Sequence, residues 1–165
     1  IRLTLRPLHF DDLPLTMAWR NTPAIRKWFV NSASITLEQN QKFYLNYIER
    51  KNDFIYIIEL NNFDHTPIGQ ISLYNVDEKI GTAEFGRLMI GERLAQGKGY
   101  AEEATKMIVM DAFTSKGLVK VFLDVFQNNE RAVHIYSKLG FRVTKEEKGM
   151  LHMELIASDY LKSDG

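Results

Sequence analysis

The spacing of apolar positions changes several times along the chain, and each change marks an element. Leu3 and Leu5 alternate with polar neighbours, which predicts a first strand. Asp11-Asp12 ahead of Leu13-Pro14 signals a helix start, because proline suits a first turn, and that helix runs to about residue 20. Thr36 and Gln39 make a capping box for a second helix, to about residue 50, carrying Phe43, Tyr44, Tyr47 and Ile48. Residues 54–60 and 68–74 read as strands joined by a turn at Asn61-Asn62-Phe63-Asp64. A second turn at Asp77-Glu78-Lys79-Ile80-Gly81 leads into a strand ending at Ile90. Helical spacing returns at Ala101, Ala104, Met107, Ile108 and Ala112, and Lys116-Gly117 stops it. Residues 119–126 form a buried strand. Asn129 then caps a helix over 130–139, Gly140 lies just past its end, and a last strand covers about 151–156. Meandering strands followed by strand–helix–strand predict one α/β unit around a mixed sheet, without linkers or repeats.

The most specific chemistry lies between the strand ending at Ile90 and the helix after it. Gln96-Gly97-Lys98-Gly99-Tyr100-Ala101 is a glycine-rich turn opening a helix. Glycines allow a tight turn, the first helical amides point outward unpaired, and the helix dipole favours negative charge. Lys98 adds a full positive charge. A phosphate or pyrophosphate is the ligand this predicts. It is not a P-loop, since Gly99 follows Lys98 and Glu92 stands where the first glycine belongs. It is not a dinucleotide fingerprint, since the third glycine position holds Glu102.

The pattern that fits is Gln-x-x-Gly-x-Ala, which resembles the pyrophosphate loop of the GNAT superfamily of N-acetyltransferases. About thirty residues on, Asn129-Glu130-Arg131-Ala132-Val133-His134-Ile135-Tyr136-Ser137-Lys138-Leu139-Gly140-Phe141 resembles the same family's Asn-x-x-Ala-x-x-x-Tyr-x-x-x-Gly-Phe segment at every fixed position. The resemblance implies a GNAT fold, a single mixed sheet whose central strands splay apart, flanked by helices. It implies acetyl-CoA as cofactor and transfer of its acetyl group to a primary amine by direct attack in a ternary complex. A coenzyme A-binding module without catalysis is the rival, although such modules tend to lose both the tyrosine and the strand glutamate.

The resemblance also assigns roles. The thioester carbonyl needs preorganised N–H donors as the tetrahedral intermediate forms, and the family's bulged strand places these at Leu88, Met89 and Ile90. Gln96, Gly97, Lys98, Gly99, Tyr100, Ala101 and Asn129 fall at cofactor-binding positions. Many relatives have one residue fewer than Gly91-Glu92-Arg93-Leu94-Ala95, and a proline there. Tyr136 matches the tyrosine that donates a proton to the departing thiolate, or only hydrogen-bonds the sulfur. Deprotonating a lysine-like amine at pH 7 costs about 4.6 kcal/mol, against about 1.4 for an α-amine, so the need for a base depends on the acceptor. Glu84 resembles the position of a catalytic glutamate acting through a water. The alternative is a solvent-facing strand residue, and Asp124 is a weaker candidate.

Composition limits the remaining choices. The 165 residues make a single domain, large enough to bury a core without staples. With no cysteine there is no disulfide, thiol nucleophile or thiolate metal site. Twenty-one basic and 21 acidic side chains cancel, so no global field draws the chain to nucleic acid or an anionic membrane. Four scattered histidines lack metal-ligand spacing, so no metal is expected. No apolar run is long enough to span a bilayer, and Ile1-Arg2-Leu3-Thr4 is no signal peptide, which suggests a cytoplasmic protein, monomer or homodimer. An opening on Ile1 rather than methionine suggests trimming or a boundary, and leaves open whether a short N-terminal segment is absent.

The acceptor is written in the first helices. Trp19-Arg20-Asn21 resembles the branch that acetylates amino-sugar nucleotides, and also the ribosomal-protein N-terminal and aminoglycoside-modifying branches. Trp19, Trp28 and Phe29 can form an aromatic floor, with Arg20 or Arg26 holding phosphate. Alternatively both tryptophans are core and the arginines solvated. The segment lacks an acidic cluster for a cationic acceptor such as a polyamine or aminoglycoside, since Asp11 and Asp12 are used at a helix start. The expected acceptor is therefore an amino-sugar nucleotide, with a protein N-terminus, antibiotic or polyamine as alternatives.

Overall fold

The computed structural model describes residues 2–163; Ile1, the residue on which the question of an N-terminal segment turns, lies outside them. Seven strands form one mixed sheet in the order β1-β2-β3-β4-β5-β7-β6. They are β1 (Leu3–Pro7), β2 (Phe54–Leu60), β3 (Thr66–Asp77), β4 (Thr82–Ile90), β5 (Lys120–Phe126), β6 (Arg142–Glu147) and β7 (Met150–Ile156). The helices are α1 (Leu13–Asn21), α2 (Pro23–Arg26), α3 (Leu37–Tyr47), α4 (Tyr100–Thr114), α5 (Glu130–Leu139) and α6 (Ala157–Ser163). β4 and β5 are parallel, and among the described residues their pairing ends at Glu84 and Phe122, although β4 continues to Ile90 and β5 to Phe126.

The chain divides into two compact units. One comprises the residues up to Ser72 with Arg87–Thr105, the other Leu73–Gly86 with the chain from Lys106 onward. In the first, β1 pairs antiparallel with β2. Leu8, Leu13, Trp19, Ile55, Ile57 and Met89 make its buried cluster, and Phe29, Phe43 and Tyr47 pack against it. Arg6 grips both oxygens of Asp12 at 2.8 Å and reaches Glu59 at 2.5 Å. The Asp12 carboxylate therefore serves the turn before α1, as its place in the sequence suggests. In the second unit, β7 pairs antiparallel with β5 and β6. Its buried side chains include Phe85, Ile108, Leu123, Tyr136, Phe141, Met153 and Leu155.

Three elements were not expected. α2 is one turn, α6 follows the last strand directly, and β6 reads Arg-Val-Thr-Lys-Glu-Glu with every residue exposed. β6 lies at the end of the sheet order, where hydrogen bonding to β7 makes the strand without an apolar face, and its charges discourage further pairing. The predicted second helix ends at Tyr47, three residues early.

Candidate active site

In the first unit, the end of β4 carries a backbone irregularity. Arg87 sits at φ 53°, a left-handed conformation that costs a non-glycine residue about 1–3 kcal/mol, and such a residue within a strand marks a bulge. Its surroundings hold it there. Arg87 Nη1 and Nη2 donate to the two oxygens of Asp53 at 2.7 and 3.1 Å, and the Gln70 amide donates to the Arg87 carbonyl at 3.3 Å. Across from it, a Cβ on Gly69 would lie 2.2 Å from the Met89 carbonyl oxygen, so β3 needs a glycine there. Leu88, Met89 and Ile90, the expected main-chain donors, follow the bulge directly. Asp53, Gly69 and Gln70 carry no motif, and sequence reasoning missed them.

The chain after Ile90 follows a defined path. The Gly91 and Glu92 amides both donate to the Ile68 carbonyl, at 2.8 and 3.2 Å, and a 3-10 turn covers Arg93–Ala95. The Gln96 side chain closes the loop by donating to the Ile90 carbonyl at 2.9 Å. Gly97 (φ 74°) and Gly99 (φ 82°) then turn the backbone through conformations that suit glycine, and α4 starts at Tyr100. Lys98 is exposed. Arg2 brackets this turn: it bonds the Glu103 carboxylate at 2.7 Å and the Lys98 carbonyl at 3.3 Å, with its guanidinium 4.5 Å from the centre of the Tyr100 ring. Two left-handed glycines before a fifteen-residue helix fit a pyrophosphate held by backbone amides. Nothing in the sequence pointed to Arg2.

The acceptor residues separate by environment. Trp19 is 4% exposed, its indole N–H donates to Glu92 at 3.1 Å, and a Cβ on Gly91 would fall 2.0 Å from its ring. This is the core alternative for Trp19. The Asn21 amide is engaged at both ends by the backbone of Ile35, at 2.8 and 2.7 Å, and so clamps the loop before α3. Trp28 is half-buried with the Lys27 ammonium 4.9 Å from its ring centre. Arg20 lies over the Phe29 ring at 4.2 Å and donates to the Asn31 carbonyl. It lines a cavity of about 340 Å³ whose wall also includes Asn31, Gln39, Gln70, Arg87 and Met89. The cavity therefore touches the bulged end of β4.

In the second unit, Glu84 is half-buried on β4 and accepts hydrogen bonds from the Tyr74 hydroxyl at 2.9 Å and the Asn75 amide at 3.0 Å. A carboxylate held by two donors is more ordered than a solvated strand residue. Asn129 caps α5, its side chain accepting from the Ala132 amide at 3.4 Å, and Gly140 closes that helix at φ 108°. Tyr136 is buried on α5, edge-on to Phe85 at 5.6 Å between ring centres and tilted against Phe141 at 5.8 Å. Burial pushes its phenol well above the ordinary tyrosine value. The phenol remains a hydrogen-bond donor. Asp124 is paired with His152 at 2.9 Å, and that imidazole also meets Glu154 at 3.2 Å. Among the described residues no cluster of metal-ligating side chains occurs, and no helix is long and apolar enough to cross a membrane.

A single mixed sheet, an irregular strand end and a glycine turn opening a helix fit an acetyl-CoA-dependent N-acetyltransferase. The family described as Acetyltransferase (GNAT) domain matches residues 2–142, and the chain belongs to it. Spermidine N(1)-acetyltransferase of Escherichia coli K12 is 31% identical over 157 residues, covering 94% of this chain and 80% of that protein. A crystal structure of the Vibrio cholerae spermidine N-acetyltransferase with CoA and spermine superposes with a TM-score of 0.87 at 25% identity, covering 97% of this chain and 98% of that one. A dodecameric structure of the V. cholerae enzyme shares the fold at a TM-score of 0.82 and 24% identity, covering 99% of each chain. These relatives are polyamine acetyltransferases, so they support an alternative named above rather than the amino-sugar or ribosomal-protein branches.

Proposed function

We propose that this chain moves the acetyl group of acetyl-CoA to a primary amine of the polyamine class, by direct attack within a ternary complex. The acceptor class rests on the spermidine acetyltransferases to which the chain is similar over most of its length. The observation that carries the chemistry is the left-handed bulge at Arg87 followed by Leu88, Met89 and Ile90. Acetyl-CoA supplies an activated thioester carbonyl. Backbone amides after the bulge stabilise negative charge on its oxygen, and the amides and Lys98 of the glycine turn hold the pyrophosphate. Glu84 takes one proton from the bound ammonium through a water, so that the neutral amine attacks. As the tetrahedral intermediate collapses, the second proton on that nitrogen passes to the departing sulfur, which leaves as the thiol. The Tyr136 hydroxyl hydrogen-bonds the departing sulfur. Asn129 supports this segment by capping α5.

The test is thiol release from acetyl-CoA with spermidine, with product mass as control. No release with any primary amine, from a chain that binds acetyl-CoA, would leave only the non-catalytic binding module. We keep monomer or homodimer as the assembly, and light scattering that finds a dodecamer would replace it. One observation favours a second acceptor class, an amine that carries an anionic group: among the described residues no carboxylate lines the cavity beside β4.

A further inference from the structure

The cavity in the first unit has an unusual charge balance. Its lining side chains include two arginines and no aspartate or glutamate. Arg87 is neutralised by Asp53 in a bidentate pair. Among the described residues Arg20 has no such partner. Its guanidinium bonds only a backbone carbonyl and rests on the Phe29 ring, and Nη1 is buried without a hydrogen-bond partner among the described residues. Burial, and secondarily the charge of Arg26, hold its pKa below the ordinary arginine value. Burying an ionised donor unpaired is costly, and an opposing charge relieves that cost. Three carboxylates of this unit are committed elsewhere, Asp12 to Arg6, Asp53 to Arg87 and Arg50, and Glu92 to the Trp19 indole.

A polycation entering this cavity meets a like charge and no counter-charge. An anion meets an unsatisfied guanidinium, with side-chain amides of Gln39 and Gln70 on the same wall. We propose that this cavity binds an anionic group, carboxylate or phosphate, carried by the amine acceptor, with Arg20 as its counter-charge. Met89 lines the same cavity, which places that group near the acetyl-donor end of β4. The inference rests on acetyl transfer to a primary amine and develops the second acceptor class, with the polyamine as the competing outcome of the test.

Calorimetry on the chain without acetyl-CoA separates the two readings. The probes are propylamine, β-alanine, O-phosphoethanolamine and spermidine. One anionic amine should bind at least about tenfold more tightly than propylamine, because a site built for a polar group rejects the analogue lacking it. Whether β-alanine or O-phosphoethanolamine wins distinguishes carboxylate from phosphate. Arg20→Met should abolish the preference, while Arg20→Lys keeps part of it. Without ligand, Arg20→Met should melt no lower than the parent, since the unpaired buried donor is gone. Spermidine or propylamine binding as tightly as both anionic amines overturns the proposal, as does a folded Arg20→Met variant that keeps the preference. Anion-selective binding without thiol release would support the cavity and sink the transferase. Rapid spermidine acetylation without anion preference would do the reverse.

Discussion

Asp53→Asn tests whether the bulge is held by its surroundings. The Asp53 side chain is 3% exposed and takes 2.7 and 3.1 Å bonds from Arg87, plus one of 3.2 Å from Arg50. Asparagine keeps the volume but removes the charge, and turns one acceptor into a donor facing a guanidinium N–H. Truncating one side of a fully buried pair costs about 3–5 kcal/mol. Arg87 keeps 22% of its side-chain exposure, so solvent recovers part of that, leaving about 2–3 kcal/mol. In a chain of this size each kcal/mol moves the midpoint by about 2–4 °C, so Tm should fall by about 4–12 °C. Arg50 is 45% exposed, and Arg50→Ala should cost less than about 1 kcal/mol. The functional consequence is separate. Freed from Asp53, Arg87 has less reason to hold φ 53°, and kcat should drop at temperatures where the variant is still folded. Calorimetric melting and thiol-release kinetics on the same preparations read both effects. A Tm within about 1 °C of the parent, with kcat intact, would refute the claim that this pair props the bulge.

Gly69→Ala should be destabilised by overpacking, about 1–3 kcal/mol, and should lose kcat, because the added Cβ must push the Met89 carbonyl away from 2.2 Å; chemical denaturation beside kinetics checks it, and wild-type values on both would remove the close approach. Tyr136→Phe retains the packing against Phe85 and Phe141 and should lower kcat with little change in the KM for acetyl-CoA, the mark of an interaction made in the transition state. A raised KM at constant kcat would make Tyr136 a cofactor clamp instead. Glu84→Gln should cost about 10²- to 10⁴-fold in rate on a high-pKa amine at pH 7. Higher pH should restore part of it as solvent deprotonates the amine, and full activity at pH 6.5 would remove Glu84 as the base.

Elements with a local chemical signature were legible in the sequence. The helix over 130–139, its Asn129 cap and the left-handed Gly140 follow from short-range rules, and the structure reproduces those bounds. The Thr36–Gln39 capping box and the strand at 54–60 are of the same kind. The glycine turn before α4 was legible for the same reason, since a helix start with positive-φ glycines is encoded within six residues.

What depended on distant partners was not legible. β6 has no apolar face and exists because β7 offers a hydrogen-bonding edge. Trp19 read equally as ligand floor or core until Gly91 and Glu92, some seventy positions away, were seen to enclose it. Asp53 belongs to no motif in the sequence. Only folding brings it to Arg87, and only there does its charge hold a strained backbone in place. The cavity beside Arg20 is likewise a property of packing: a chain with equal numbers of acids and bases gives no sign that one arginine nitrogen is buried without a hydrogen-bond partner among the described residues. Sequence determines local conformation because helix caps and turns act over a few residues. Tertiary structure decides electrostatic environment because Coulomb energies depend on burial and on which charges the fold places within a few ångströms.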